Sequence, residues 1–322
     1  MSILLETKHL KKHFEVPNGT LHAVDDVNIA IEQGSTLGVV GESGCGKSTL
    51  GKTIMKLTQP TSGEIWFDGV NIAPLSVREF EPYRYQIQMI FQDPYATLDP
   101  RMSIAQLIAE PLEVSKALTD HAQIDKRVDE LMELVGLAKR LKNSYPHELD
   151  GGRRQRIGVA RALALKPKFI VCDEPVSALD VSIQAQILNL LQDLQRDMGL
   201  TYMFITHDMS VVKHISNEIA VMYLGQVIEK CEAKELFRHT LHPYSQALLS
   251  AIPIPNIHVE RKKILLKGEL SSPINPKPCC RFAVRCPYAT DECFASEPEF
   301  REVIKGHYVA CHKVKAEDES KE

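Results

Sequence analysis

The 322-residue chain has no apolar run of the roughly 18–20 residues that a membrane span requires. Any membrane role is therefore left to partners. It has no large excess of either charge: the formal net charge is −4, with 25% charged residues. Without a global basic field, nucleic acid is not an expected ligand. The start, MSILLETKHLKKHF, lacks the charged-then-apolar layout of a signal peptide, so a cytoplasmic protein is expected. There is no internal repeat and no heptad run. At 44% hydrophobic residues the chain is ordinary for a globular protein, long enough for one large domain or two. Its eight cysteines are uneven. Cys45, Cys172 and Cys231 are scattered, while Cys279, Cys280, Cys286, Cys293 and Cys311 crowd the C-terminal end. In a reducing compartment such crowding points to metal rather than disulfides.

Residues 36–40, TLGVV, form an apolar run that stops at a glycine-rich loop. The helical run LGKTIMKL follows at once, making a strand–loop–helix unit. KFIVC (168–172) and YMFIT (202–206) are two more buried-strand candidates. Between them Ile183, Ile187, Leu190, Leu191 and Leu194 share one helical face, and Gly199 closes the helix. Strands alternating with helices predict an α/β core with a parallel sheet. Residues 100–165 show no strand pattern. Ile124, Val128, Leu131 and Val135 mark an amphipathic helix there, stopped by Gly136, so a helical insertion is expected over about 93–155. GEIWF (63–67) and the N-terminal runs read as an antiparallel edge sheet. Proline-rich IPIPN and SSPINPKP mark a boundary, dividing a domain 1–252 from an appended domain 253–322. The charged end, KVKAEDESKE, is expected to be disordered.

Gly41-Glu-Ser43-Gly44-Cys45-Gly46-Lys47-Ser48-Thr49 fits G-x-x-x-x-G-K-[ST]. Such a loop curls backbone N–H groups around phosphate, and the next helix offers its positive N-terminus. Lys47 is placed for the β- and γ-phosphates and Ser48 for Mg²⁺. The competing reading is a glycine-rich turn with an exposed lysine; the apolar strand before and helix after favour the phosphate site. Asp173 and Glu174 end the strand KFIVC. The first suits Mg²⁺ through water and the second a general base, against a plain acidic turn. His207, ending YMFIT, is placed to sense the γ-phosphate, although a lone histidine is usually structural. Gln92, in IFQDP, offers an amide to Mg²⁺ or water; taken alone it is equally a surface glutamine.

Together these residues carry a resemblance. The loop 41–49, Gln92, LDGGRRQR (149–156), IVCDEP (170–175), SALD (177–180) and ITHD (205–208) occur in the order and spacing of ABC-transporter ATPase subunits. The similarity covers roughly residues 4–250. It implies a P-loop ABC ATPase core: a RecA-like parallel sheet, an antiparallel β subdomain and a helical insertion. It implies two such domains sandwiching two ATPs, each between one chain's phosphate loop and the other's signature segment. ATP binding closes the pair and hydrolysis releases it. By the same resemblance Phe14 stacks on adenine, Gly151 and Gly152 face the partner's ATP, and Asp180 lies in the loop crossing to the partner. Residues 93–105 are placed near a groove that receives a helix of the membrane subunit.

The tail HPYSQALLSAIP (242–253), CCRFAVRCPYATDEC and HYVAC resembles the C-terminal region of oligopeptide/dipeptide importer ATPases. In that family four cysteines hold a [4Fe–4S] cluster. The spacing here is Cys280-x5-Cys286-x6-Cys293-x17-Cys311. Four thiolates suit iron–sulfur or zinc, and spacing alone does not separate them. Cys279 is a bystander. The implied function is an ATP-hydrolysing subunit powering peptide import, peripheral on the cytoplasmic face of the membrane. The implied partners are two transmembrane permease subunits, a second ATPase and, indirectly, a solute-binding protein. Relatives also serve nickel, glutathione and opine importers, so the solute stays open. A soluble ABC ATPase acting on nucleic acid or ribosomes is disfavoured by the single phosphate loop. A non-hydrolysing regulatory subunit is disfavoured by Glu174 and His207.

The sequence departs from the family at one place. The signature is usually Leu-Ser-Gly-Gly-Gln; here it is Leu149-Asp150-Gly151-Gly152-Arg153. Asp150 can cap the following helix and complement its dipole. Ionised, it cannot donate a hydrogen bond to phosphate. Two unit negative charges about 4 Å apart repel by roughly 4 kcal/mol at an effective dielectric of about 20. Arg153 can offset part of this, or Asp150 can turn aside. A homodimer would carry the defect in both sites, so a non-identical ATPase partner is expected.

Overall fold

The computed structural model describes residues 2–252, 264–266, 268 and 272–315. The expected boundary at 253 and residues 316–322 of the charged end lie outside the described residues. The start of that end, 313–315, is ordered against expectation, with Arg301 donating to the Val314 carbonyl at 2.7 Å. The chain divides into two compact units that interleave in sequence. One is built mainly from 74–204, the other from 3–31, 36–73 and 205–322.

In the 74–204 unit the strands are β6 (Ile87–Ile90), β7 (Phe169–Asp173) and most of β8 (Thr201–Thr206), in the order β6-β7-β8. β6 and β7 pair in parallel, with Met89 opposite Val171. Every residue of β7 and β8 is buried, the unbroken apolar pattern of strands covered on both faces. Helix α2 (Val77–Arg84) starts on a Ser76/Glu79 capping box. Between β6 and β7 the chain forms only helices and turns: α3 (Pro94–Thr97), α4 (Ile104–Val114), α5 (His121–Leu134) and α6 (Gly151–Leu163), with short 3₁₀ turns between α5 and α6. The expected helical insertion is therefore present. In α5, Ile124, Val128 and Leu131 are buried as their spacing requires, and Gly136 follows at φ 69°. Helix α7 (Val181–Met198) buries Ile187, Leu188, Leu191 and Leu194 and ends on left-handed Gly199. Ile183 and Leu190, expected on that face, are only half-buried, and Leu188 joins it.

The other unit holds two sheets. β1 (Ile3–Val16), β2 (Gly19–Glu32), β4 (Ser62–Phe67) and β5 (Val70–Asn71) form an antiparallel sheet in the order β2-β1-β4-β5. The second runs β3 (Thr36–Val40), β9 (Glu218–Tyr223), β10 (Gln226–Glu232), β12 (His307–Ala310), β11 (Phe300–Ile304). β3 and β9 pair in parallel; β10, β12 and β11 continue antiparallel. The C-terminal segment thus adds strands to a sheet edge, a pairing that the cysteine spacing does not signal. Helix α1 (Lys47–Ile54) begins inside the glycine-rich motif and stops earlier than LGKTIMKL suggests. Its end is set by Lys56, left-handed at φ 55°, whose Nζ donates to the Ile72 and Ala73 carbonyls. α8 (Met209–Ile215), α9 (Ala233–Arg238), α10 (Pro243–Ser250) and α11 (Asp291–Ala295) complete this unit.

Candidate functional site

In the unit that carries β3, the loop 41–46 leaves the strand and turns directly into α1. Glycine is required at two of its positions. A Cβ at Gly46 (φ 104°) would sit 2.0 Å from the Ala23 carbonyl oxygen, and one at Gly41 (φ 155°) 2.2 Å from that of Met222. Lys47 is buried at 5% exposure, and its Nζ donates to the carbonyls of Gly41 (2.8 Å) and Glu42 (2.9 Å). The amine is held over the loop rather than extended into solvent. Gly46 caps α1 with no side-chain bond, leaving the helix N-terminus to the loop. Burial pushes the Cys45 thiol up, with Lys47 pulling against it, so this cysteine is a packing group. Phe14 lies on β1 at 37% exposure, with Lys12 Nζ 4.6 Å from its ring centroid. His207 is exposed at the end of β8, just before Asp208, which caps α8 through the Ser210 N–H.

Asp173 and Glu174 lie in the other unit. β7 ends in buried Asp173. Glu174 follows at φ 46°, a left-handed conformation costly for a residue with a Cβ and typical of functional turns. Gln92 Nε2 donates to Glu174 Oε2 at 2.9 Å. The structure therefore joins two residues 82 positions apart that the sequence singled out separately.

Asp150 is the N-cap of α6. Its Oδ1 accepts from the Arg153 N–H at 2.8 Å, and Oδ2 lies 3.5 Å from Arg153 Nη1. Both contributions expected of these residues, cap and partial charge offset, are present. A Cβ at Gly151 would meet Leu179 Cδ2 at 3.1 Å, and one at Gly152 would meet Ile183 Cγ2 at 2.6 Å. The two glycines thus let α6 approach the 177–180 loop and the start of α7. Gln184 pins that loop by donating to the Val176 and Leu179 carbonyls. Asp180 occupies the N-cap position of α7 and is exposed, with no side-chain cap bond.

Cys280, Cys286, Cys293 and Cys311 line one cavity together with Phe282 and Tyr288. All are free thiols; Cys279 is outside the lining. Burial raises Cys280 to about 11 and raises Cys286 as well, so without a metal both are protonated. Coordination removes such protons outright. Among the described residues, the group of three ligand atoms within 4.8 Å of one another is His13, His22 and Asp25; no three of the four sulfurs lie that close.

Two residues absent from the sequence reading also reach the phosphate loop. Tyr244 Oη accepts from the Glu42 N–H at 2.8 Å, and Arg285 reaches both Glu42 oxygens at 2.6 and 3.0 Å. A signal was available: a carboxylate in a phosphate loop needs a cation, and RFAVRC offers two.

The chain matches the ABC transporter family over residues 24–177 and the oligopeptide/dipeptide transporter C-terminal region over 228–293. YkfD of Bacillus subtilis is 53% identical over 96% of this chain and 95% of its own length. The oligopeptide transport ATP-binding protein OppF of Escherichia coli is 50% identical over 97% of this chain and 96% of its own. Among solved structures, a dimeric ATP-binding cassette in a post-hydrolysis state with ADP and Pi superposes with a TM-score of 0.66. It is 29% identical and covers 71% of this chain and 99% of its own. A cassette from Clostridium perfringens, part of an ABC transporter complex, gives 0.66 at 30% identity over 74% and 92%.

Proposed function

The chain belongs to the ATP-binding subunits of oligopeptide-type ABC importers, and we propose that it drives peptide import as one half of an unequal ATPase pair. It is an ATPase of the ABC class. In this reading Lys47 and the N–H groups of 41–49 hold the phosphates, and Phe14 stacks on adenine. Ser48 and Gln92 hold Mg²⁺, with Asp173 acting on it through water. Mg²⁺ supplies charge neutralisation at the phosphates. Glu174 takes the proton of the attacking water. Its bond to Gln92 supports this assignment by fixing the carboxylate's orientation. His207 meets the γ-phosphate, and Asp180 contacts the partner ATPase.

The observation that carries the asymmetry is Asp150. Its carboxylate is spent on capping α6 and pairing Arg153, and it has no proton to donate to the opposite ATP. The site that this chain completes for its partner is therefore weak. The site built on its own Lys47, Glu174 and His207 works when the partner supplies an intact signature. The test is phosphate release by this chain alone and by the mixed pair, each with and without Glu174→Gln. The mixed pair should hydrolyse ATP, the lone chain should be nearly inactive, and Glu174→Gln should keep nucleotide binding while nearly abolishing turnover of the pair. Equal turnover per subunit with and without the partner overturns the asymmetry.

Among the described residues no helix is long and apolar enough to cross a membrane. In this proposal the subunit binds the cytoplasmic face through two permease subunits, with a solute-binding protein acting outside. A groove lined by Gln88, Phe91, Thr97, Pro111, Gln155 and Arg161 supports residues 93–105 as the permease contact. Exposed Tyr95 lies in that stretch.

The four cysteines fit a [4Fe–4S] cluster better than zinc. Tetrahedral zinc at about 2.3 Å from each sulfur requires sulfurs roughly 3.8 Å apart. The sulfurs here line one cavity yet are more widely spread, as when each binds a different iron. Cys280, Cys286, Cys293 and Cys311 would hold the cluster in the C-terminal region that the proposal sets apart from residue 253, where it would supply structural cross-linking rather than phosphate chemistry.

A further inference from the structure

Glu42 is an unexpected residue in a loop assigned to phosphate, because an unmatched carboxylate there repels a polyanion. Arg285 matches it. The guanidinium fork meets both carboxylate oxygens, the geometry of a strong charge-assisted pair. The Arg285 side chain is only 9% exposed and that of Glu42 28%, so water and salt screen the pair weakly. The same residue is held through its backbone. Its N–H bonds to Tyr244 Oη, and its carbonyl accepts from Lys47 Nζ. Tyr244 is fully buried, edge-on to Tyr223 at 4.7 Å and to Phe282 at 5.5 Å between ring centroids.

Phe282 and Arg285 lie in one turn, between Cys280 and Cys286. Arg281, in the same turn, donates to the Leu224 carbonyl and pairs with Asp25. Gly225, next in sequence, donates its N–H to the Cys45 carbonyl at 2.8 Å. Arg285 therefore meets the phosphate loop directly, Phe282 packs on the Tyr244 ring that touches it, and Arg281 holds the backbone behind it.

We infer that the 280–286 turn presets the phosphate loop for nucleotide, with Arg285 and Tyr244 as positioning residues acting through Glu42. A loop held in its binding geometry loses less freedom when ligand arrives, so the clamp appears in affinity. Whatever holds the sulfurs of Cys280 and Cys286 also holds the clamp. This gives the cysteine-bearing segment a direct line to the ATP site. The inference rests on the phosphate-loop reading above.

The test is equilibrium titration of the full chain with a fluorescent ATP analogue and Mg²⁺, with melting temperature measured alongside. Lys47→Ala is the control: if it binds like the wild type, the phosphate-loop reading itself fails. Arg285→Ala should weaken binding about tenfold or more, the scale of a charge-assisted bond. Arg285→Lys should recover part of the loss, since it restores charge but not the fork. Glu42→Gln combined with Arg285→Ala should bind tighter than Arg285→Ala alone, because the unmatched carboxylate is gone. In the mixed pair, Arg285→Ala should raise KM for ATP with kcat changed less than about twofold. Wild-type affinity in a folded Arg285→Ala, or a double variant no tighter than the single one, overturns the inference. If Arg285→Ala does not fold, Tyr244→Phe decides. It keeps the ring and removes the acceptor; weakened binding supports the clamp and wild-type affinity overturns it.

Discussion

Asp150 is a side chain on which two demands conflict. As an N-cap it does what serine would do for α6, accepting the Arg153 N–H. As a phosphate ligand it has the wrong charge and no donor. Asp150→Ser separates the two, because serine caps as well and can also donate. ATP hydrolysis by the chain alone should rise about tenfold, the screened remainder of a repulsion that is larger at low dielectric. Phosphate release against enzyme concentration is the measurement; unchanged turnover means Asp150 already points away from the nucleotide. The capping role was legible in ELDGG, since an acid before two glycines and a helical run has few alternatives. The Glu42–Arg285 pair was not, because the two residues stand 243 positions apart and only the fold joins them.

At the scale of elements, the segment 280–311 joins a turn, the short helix α11 and strand β12 around four sulfurs. Cys280 N–H donates to the Cys293 carbonyl at 3.0 Å, and Cys311 directly follows β12. Unligated, Cys280 and Cys286 face burial that raises both thiols. Anaerobically purified protein should contain about four iron and four acid-labile sulfide atoms per chain. Cys286→Ser should lose most of the iron. Stoichiometric zinc without iron contradicts the cluster. The strands, by contrast, were largely readable. Parallel strands covered on both faces are continuous apolar runs, and TLGVV, KFIVC and YMFIT were found within one residue of their ends. The β9–β10 pair and the β11–β12 hairpin were missed. FREVI and HYVA are short, FREVI sets two charged residues among apolar ones, and β10, the other neighbour of β12, lies far away in sequence.

For the molecule as a whole, the titrating groups predict acid sensitivity. Burial drives His242 from 6.5 down to about 4, and its Nδ1 accepts from the Tyr244 N–H, which requires the neutral ring. The unfolded chain therefore binds a proton that the folded chain refuses between these two values. Stability falls as pH drops from about 6.5 to about 4, by roughly 3 kcal/mol from this group. Asp25 adds to it lower down. Burial alone would raise this carboxyl, but His22, Arg281 and His13 outweigh burial and hold it at about 2. Its contribution is present above 3.8 and is lost as pH falls toward about 2. Urea melts at about pH 7, 5.5 and 4.5 should show falling midpoints, and a flat profile contradicts the buried neutral histidine.

The sequence by itself determined which residue types stand at the loop and strand ends and the local structure that displays them. Glycines at 41 and 46, a lysine at the head of α1 and acids at the end of β7 have narrow physical uses, and those uses are local. Tertiary structure decided which of these groups meet. It brought Gln92 to Glu174, gave Glu42 its cation, and placed Tyr244 and the cysteine turn against the phosphate loop. Side-chain pairing across tens or hundreds of residues depends on strand order and packing, and these have no periodicity in the chain to announce them.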